Sequence, residues 1–182
     1  MTVVVNNPVA GFTPLNYGAF QDSNTQTNAG AIADPVTGNV MLLRTTDYSN
    51  GVSIVSNSRI TVATAGVYNI QFSSQFSRAG GTGFSLVDVW LSKNGTIVTG
   101  SNGQVNVPNS GGKNIAAWNY VVTANSGDYF QLNWYSTDIN VEMFYAAAGT
   151  NPARPTTPSV ILTVTQVALS LIHISEPTRP RL

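Results

Sequence analysis

Apolar and polar side chains alternate with a period of two over most of this chain, most clearly from Ile60 to Phe76. This stretch reads as two β-strands joined at Ala65 and Gly66. In the second strand Tyr68, Ile70, Phe72 and Phe76 share one face, while Asn69, Gln71 and Gln75 share the other. Successive side chains of a strand point to opposite faces, so one face suits a core and the other suits water or a partner. No stripe of helical period competes with this pattern.

The same reading extends along the chain. Residues 15–21 predict a first strand and Val40–Leu43 a short one. Further strands are expected at Val52–Val55, Arg59–Ala63, Val67–Phe76, Phe84–Ser92, Thr96–Val98 and Gln104–Val107. Asn114–Thr123, a run alternating Phe130, Leu132 and Trp134 with Gln131, Asn133 and Tyr135, then Asn140–Tyr145 and Ser159–Val167 complete the set. Turn signals stand between them. Asn50-Gly51 and Asn94-Gly95 predict hairpins, because this pair tolerates the positive φ of a type I′ turn. Asn102-Gly103, Asn109 to Gly112 and Asn125 to Asp128 mark further turns. Residues 149–158 predict a loop in which Pro152, Pro155 and Pro158 block ladder pairing. About ten short antiparallel strands without a helix imply an all-β sandwich or barrel.

Composition narrows the picture. The 182 residues suit one domain with a substantial core. Residues 1–13 read as an extended N-terminal arm and 14–168 as the domain. Only 9% of residues are charged, against about 25% in an ordinary soluble domain. Gly, Ser, Thr and Asn fill the polar positions instead, as in turn-rich all-β proteins and in extracellular and virion proteins. With 42% hydrophobic residues and no net charge, the chain is not a disordered one. No basic excess points to nucleic acid, and no apolar run is long enough for membrane insertion as a helix. The absence of cysteine excludes disulfides and thiolate metal sites, and suits folding in a reducing cytoplasm. The first residues lack a basic leader, so no signal peptide is expected.

The tail from Leu169 to Arg179 resembles the translation of a transposase sequencing adapter. Residues 169–182 therefore read as a scar on a metagenomic gene end, outside the native fold. Setting aside Glu176, Arg179 and Arg181 leaves six basic and seven acidic residues, and also removes His173, the single histidine.

Several phrases in order carry a family likeness. They are Gly66-Val67-Tyr68, then Val89-Trp90-Leu91 with Lys93-Asn94-Gly95, then Ser126-Gly127-Asp128-Tyr129, then Pro158-Ser159-Val160-Ile161-Leu162. In this order they resemble the C1q/TNF-like jelly-roll domain. With Ser58-Arg59-Ile60-Thr61, Tyr68-Asn69-Ile70-Gln71-Phe72 and Ala116-Ala117-Trp118-Asn119, the chain is most similar to C1q-like structural proteins of marine tailed bacteriophages. The likeness spans about 14–167. It implies a two-sheet jelly roll of Greek-key topology, a homotrimer and a binding or assembly module rather than an enzyme. No collagen-like stalk precedes the domain, and the acidic calcium-binding residues of some C1q members have no match here.

Candidate chemistry is sparse. Without a histidine there is no Ser-His-Asp triad and no histidine metal site, and no cofactor is expected. Asp138 and Glu142 are the one carboxylate pair that could suggest a glycosidase, though a loop carboxylate and a solvated strand face explain them more simply. Gly80 to Gly83 lacks the Lys-Ser/Thr sequel of a phosphate loop. Asp88 sits inside a strand, on one face with Leu86 and Trp90. A place at the trimer seam, a pairing with Arg59 or Arg78 and a solvated position all stay open for it. Trp118, Tyr120, Tyr129 and Tyr135 form either a sugar-stacking or interface platform or, more commonly at period two, core.

The expected role is a bacteriophage virion structural protein: a head fibre, decoration or tail-fibre tip, assembled in the host cytoplasm. Its expected partners are other copies of itself, other virion proteins and a host surface glycan or receptor. The β-prone run Thr2–Val5 is expected to dock on one of the protein partners. A bacterial carbohydrate-binding lectin is the alternative, and a polysaccharide-degrading enzyme the third reading.

Overall fold

The protein is described by a computed structural model over residues 15–28 and 38–169. The expected arm at 1–13, with Thr2–Val5, lies outside these residues, as does the adapter-like tail beyond Leu169. Sixteen strands form among the described residues: β1 (Tyr17–Asp22), β2 (Gln26–Thr27), β3 (Asn39–Val40), β4 (Thr45–Asn50), β5 (Val52–Val55), β6 (Arg59–Val62), β7 (Gly66–Arg78), β8 (Ser85–Lys93), β9 (Thr96–Ile97), β10 (Gly103–Val107), β11 (Lys113–Ala124), β12 (Tyr129–Tyr135), β13 (Val141–Met143), β14 (Gly149–Thr150), β15 (Ala153–Arg154) and β16 (Val160–Leu169). The described residues contain no helix.

Two sheets pack face to face. The first runs β2-β13-β7-β16-β1-β4, with β11 also paired to β7; the second runs β10-β8-β12-β6-β5, with β3 on β12 and β9 on β8. The inward faces supply one core. Tyr68, Ile70, Phe72 and Phe76 of β7 and Val160, Leu162 and Val164 of β16 are buried. They meet Val87, Val89 and Leu91 of β8 and Phe130, Leu132 and Trp134 of β12 from the facing sheet. Phe76 and Trp134 touch across the interior with ring centroids 5.4 Å apart. Alternation along β7, β8 and β16 thus turns one set of side chains into the core.

Turn geometry separates the real hairpins from look-alikes. Asn94 and Gly95 have φ of 51° and 80°, so both central residues satisfy a type I′ turn between β8 and β9. At Asn50-Gly51 only the glycine is left-handed, with φ 67°. No hairpin forms there: β4 pairs with β1 in the first sheet, while β5 pairs with β6 in the second. The expected hairpin is instead a corner where the chain changes sheet. The turn that does join β5 to β6 is Ser56-Asn57, at φ 52° and 59°.

Three smaller expectations shift. The Asn102-Gly103 turn lies earlier, at Thr99-Gly100, where Gly100 has φ 77° and Ser101 N donates to Val98 O. Gly103 belongs to β10 instead, where a Cβ would stand 2.6 Å from the Trp118 ring. Of Val40–Leu43 only Val40 joins a ladder, but Met41 N and Leu43 N still bond Leu132 O and Asn57 O. Residues 149–158 hold a ladder after all: β14 and β15 pair around Pro152, which occupies the tip where no ladder donor is needed.

Candidate functional site

The outward face of the second sheet gathers the unusual side chains. Along β8, Val87, Val89 and Leu91 point into the core, which turns Leu86, Asp88 and Trp90 outward. Antiparallel pairing then sets neighbours beside them. Gln104 of β10 and Tyr135 of β12 flank Asp88 in one row, and Asn133 flanks Trp90 in the next. The β8–β9 turn and the segment after it bring Ile97 and Asn102 over the same face. Asp88, Trp90, Ile97, Asn102 and Tyr135 thereby line a cavity of about 300 Å³. A second cavity of about 550 Å³ adjoins it, sharing Trp90 and Ile97 and adding Gln131 and Asn133.

Asp88 pairs with neither Arg59 nor Arg78. Its Oδ1 accepts hydrogen bonds from Asn102 Nδ2 at 2.7 Å and Gln104 Nε2 at 2.8 Å. Arg59 instead lies over the Tyr129 ring, 4.7 Å from its centroid. Arg78 is committed to Asp138 at 2.6 Å. Both arginines are thus held by partners on their own sides of the molecule, which leaves Asp88 to amide donors.

The other aromatic candidates lie elsewhere. Trp118 and Tyr120 project from β11 toward Phe72, the first edge-on at 4.9 Å and the second stacked at 6.1 Å. Tyr120 Oη donates to Ser101 O at 2.8 Å, and burial raises its pKa. Tyr129 is half-buried beneath Arg59. Of the four aromatics first singled out, Tyr135 alone shares a cavity with Asp88. Trp90 and Ile97 complete that cavity. The alternation around Val89 and Leu91 already turns Trp90 outward in the sequence, whereas Ile97 arrives only through the folded hairpin.

Asp138 and Glu142 do not face each other across a cleft. Asp138 Oδ2 accepts from Ser85 Oγ and Arg78 Nε, both at 2.6 Å, and its Oδ1 from Asn140. The Ser85 hydroxyl above all, with Asn140 and Arg78, holds its pKa down at about 2. Glu142 accepts instead from Ser77 Oγ at 2.9 Å. A general acid needs a raised pKa, so Asp138 suits a structural role. Among the described residues no three His, Cys, Asp or Glu side chains group as metal ligands would.

The opposite sheet presents a different outer surface. Four successive rows cross β11, β7 and β16: Ala117, Ser73 and Ile161; Asn119, Gln71 and Thr163; Val121, Asn69 and Thr165; and Thr123 with Val67. None of these residues is charged. Val121 is 63% exposed and Ile161 46%. Among the described residues β11 pairs only with β7, so its second edge carries no ladder, though Asn114 Nδ2 donates to Asn106 O of β10 at 2.8 Å.

No family model and no curated protein sequence matches this chain. Among solved structures it is similar to the globular domain of zebrafish complement 1qA protein, with a TM-score of 0.50 and 11% identity. The likeness covers 85% of this chain and 98% of that one. At this identity the similarity speaks for the fold alone, and the fold is a C1q-like jelly-roll sandwich.

Proposed function

We propose that the chain is a trimeric assembly and adhesion module, carried on a bacteriophage virion as a head fibre, decoration or tail-fibre tip. One observation carries the assembly half: four uncharged rows at the centre of the outer face of β11, β7 and β16, with Lys113 and Glu142 only at its end. A solvent-facing sheet ordinarily carries charge, and an edge strand such as β11 invites pairing unless it is covered. Val121, Ile161 and Val167 stand exposed on this face among Asn, Gln, Ser and Thr. That mixture suits an interface between copies, where charge would have to be desolvated. The threefold order follows from the resemblance of the sequence to C1q-like domains.

The virion half rests on the likeness of several phrases to phage C1q-like proteins and on the low charge of the whole chain. In salty surroundings surface ion pairs contribute little, and a surface of amides and hydroxyls loses nothing by lacking them. Neighbouring capsid or tail genes on the same contig would support this role; a neighbourhood of bacterial secretion genes would favour the lectin alternative.

Mass measurement in solution tests the assembly. The wild type is expected to sediment as a trimer and Val121→Asp as a folded monomer. A wild-type monomer at micromolar concentration would overturn the proposal.

A further inference from the structure

We propose that the groove along Trp90 binds a neutral oligosaccharide, with one sugar held at Asp88, Trp90 and Tyr135 and the next lying beyond Ile97. This deepens the adhesion half of the reading above by naming the class of ligand. It rests on a surface separate from the assembly face.

Three features of the groove select that ligand. The first is shape. Its first compartment, about 300 Å³, falls at the lower end of small-molecule sites, which span about 300–1,000 Å³. The second, about 550 Å³, shares Trp90 and Ile97 with it, so the two run on as adjoining subsites. A ligand of linked rings fits this better than a compact metabolite.

The second feature is the aromatic pair. Trp90 and Tyr135 sit diagonally across the β8–β12 ladder on the outward face. The edge of the indole packs against Gly38, where a Cβ would run into the ring. A partly exposed indole held in this way offers a flat apolar surface to the C–H face of a pyranose at little entropic cost.

The third is the polar lining. Asp88 Oδ1 is already held by Asn102 and Gln104, while Oδ2 accepts no hydrogen bond among the described residues. A carboxylate oxygen so positioned accepts from sugar hydroxyls, and bonds to a charged acceptor are the stronger kind. The second compartment adds Ser92, Thr96, Gln131 and Asn133, which supply hydroxyls and amides. Neither compartment is lined by Lys or Arg, and Asp88 is the one carboxylate. A phosphate, sulfate or sialic acid would therefore meet like charge without a cation to offset it. That leaves a neutral polyhydroxylated ligand.

The test uses the full chain, fluorescently labelled, on an array of neutral, sialylated and sulfated oligosaccharides. The best neutral ligand is then titrated against Trp90→Ala, Asp88→Asn and, as control, Thr46→Ala on the exposed strand β4, away from both surfaces. Binding to neutral glycans is expected, weakened tenfold or more by Trp90→Ala and by Asp88→Asn, and unchanged by Thr46→Ala. Asp88→Asn keeps the size of one half-buried side chain on the sheet's outer face, so it keeps the test decisive if Trp90→Ala misfolds. Absence of binding, binding confined to acidic glycans or binding that survives Asp88→Asn would overturn the proposal. Sedimentation of the same samples separates the two readings. A trimer that binds no neutral glycan removes this site alone, and a monomer that binds one removes the assembly alone.

Discussion

Asp138→Asn should weaken the fold at neutral pH and cease to matter in acid. The carboxylate joins the end of β7 to the start of β8 by accepting from Arg78 Nε and Ser85 Oγ, both at 2.6 Å. These bonds, with those from Asn140, lower its pKa from 3.8 to about 2. At 1.36 kcal/mol per tenfold change in proton affinity, that difference is worth at most about 2.5 kcal/mol. The two side chains are only 9% and 15% exposed, and the remaining screening reduces the figure to about 1–2 kcal/mol. Arg78 is itself buried, but its remaining acceptors relieve the larger cost of stranding a buried ion, about 3–5 kcal/mol. Arg78 keeps the carbonyls of Thr82 and Gly83 at 3.0 and 3.1 Å. The sign follows from the depressed pKa. The contribution is complete above the unfolded value of 3.8 and is lost as pH falls through about 2. The assay is urea unfolding of both proteins at about pH 7, 5 and 3, at one protein concentration because assembly adds a mass-action term. The gap between them should be about 1–2 kcal/mol at neutral pH and should shrink at the most acid point. A gap of constant size across the series would refute the argument.

Two further changes probe the frame around the sites. Tyr68 Oη donates to Thr64 O at 2.7 Å and accepts from Asn16 Nδ2 at 2.9 Å inside the core, so Tyr68→Phe should cost about 1–3 kcal/mol; an unchanged melting temperature would count against that network. Gly95 has φ 80° and room for a methyl group, the nearest atom being Tyr129 Oη at 3.5 Å. Gly95→Ala should therefore lower the urea midpoint through backbone strain of about 1–2 kcal/mol while leaving the m-value alone.

How far the sequence reveals this molecule depends on whether a feature is local. The alternation from Val67 to Phe76 is a property of one strand, and β7 buries the expected face. The β8–β9 hairpin is likewise local, because Asn94 and Gly95 carry both positive φ values themselves. Asn50-Gly51 looks the same in sequence, but its role depends on which sheet each flanking strand joins. Ser56-Asn57 makes the missed turn with residues that carry a weaker turn signal than Asn-Gly. The groove is the extreme non-local case. Asp88 and Tyr135 stand far apart in sequence and meet only through the β8–β12 register. Trp118 and Tyr120 obey the same period as Tyr135, and nothing local tells which sheet face each will occupy.

The place of β16 has a consequence for how the chain is made. The last strand of the described residues lies in the interior of the first sheet, between β7 and β1. It pairs with β7 from Val160 to Leu169, and Val160 faces Asp22 of β1. Among the described residues the β1–β4 ribbon reaches the rest of its sheet only through β16. During synthesis β7 and β11 can pair early, but the slot beside β7 stays empty until residues 160–169 leave the ribosome. Until then β7 and β1 each lack their shared neighbour, and the core lacks Val160, Leu162 and Val164. Completion of the fold therefore waits for β16, and nascent chains stalled before Val160 are expected to become clients for chaperones.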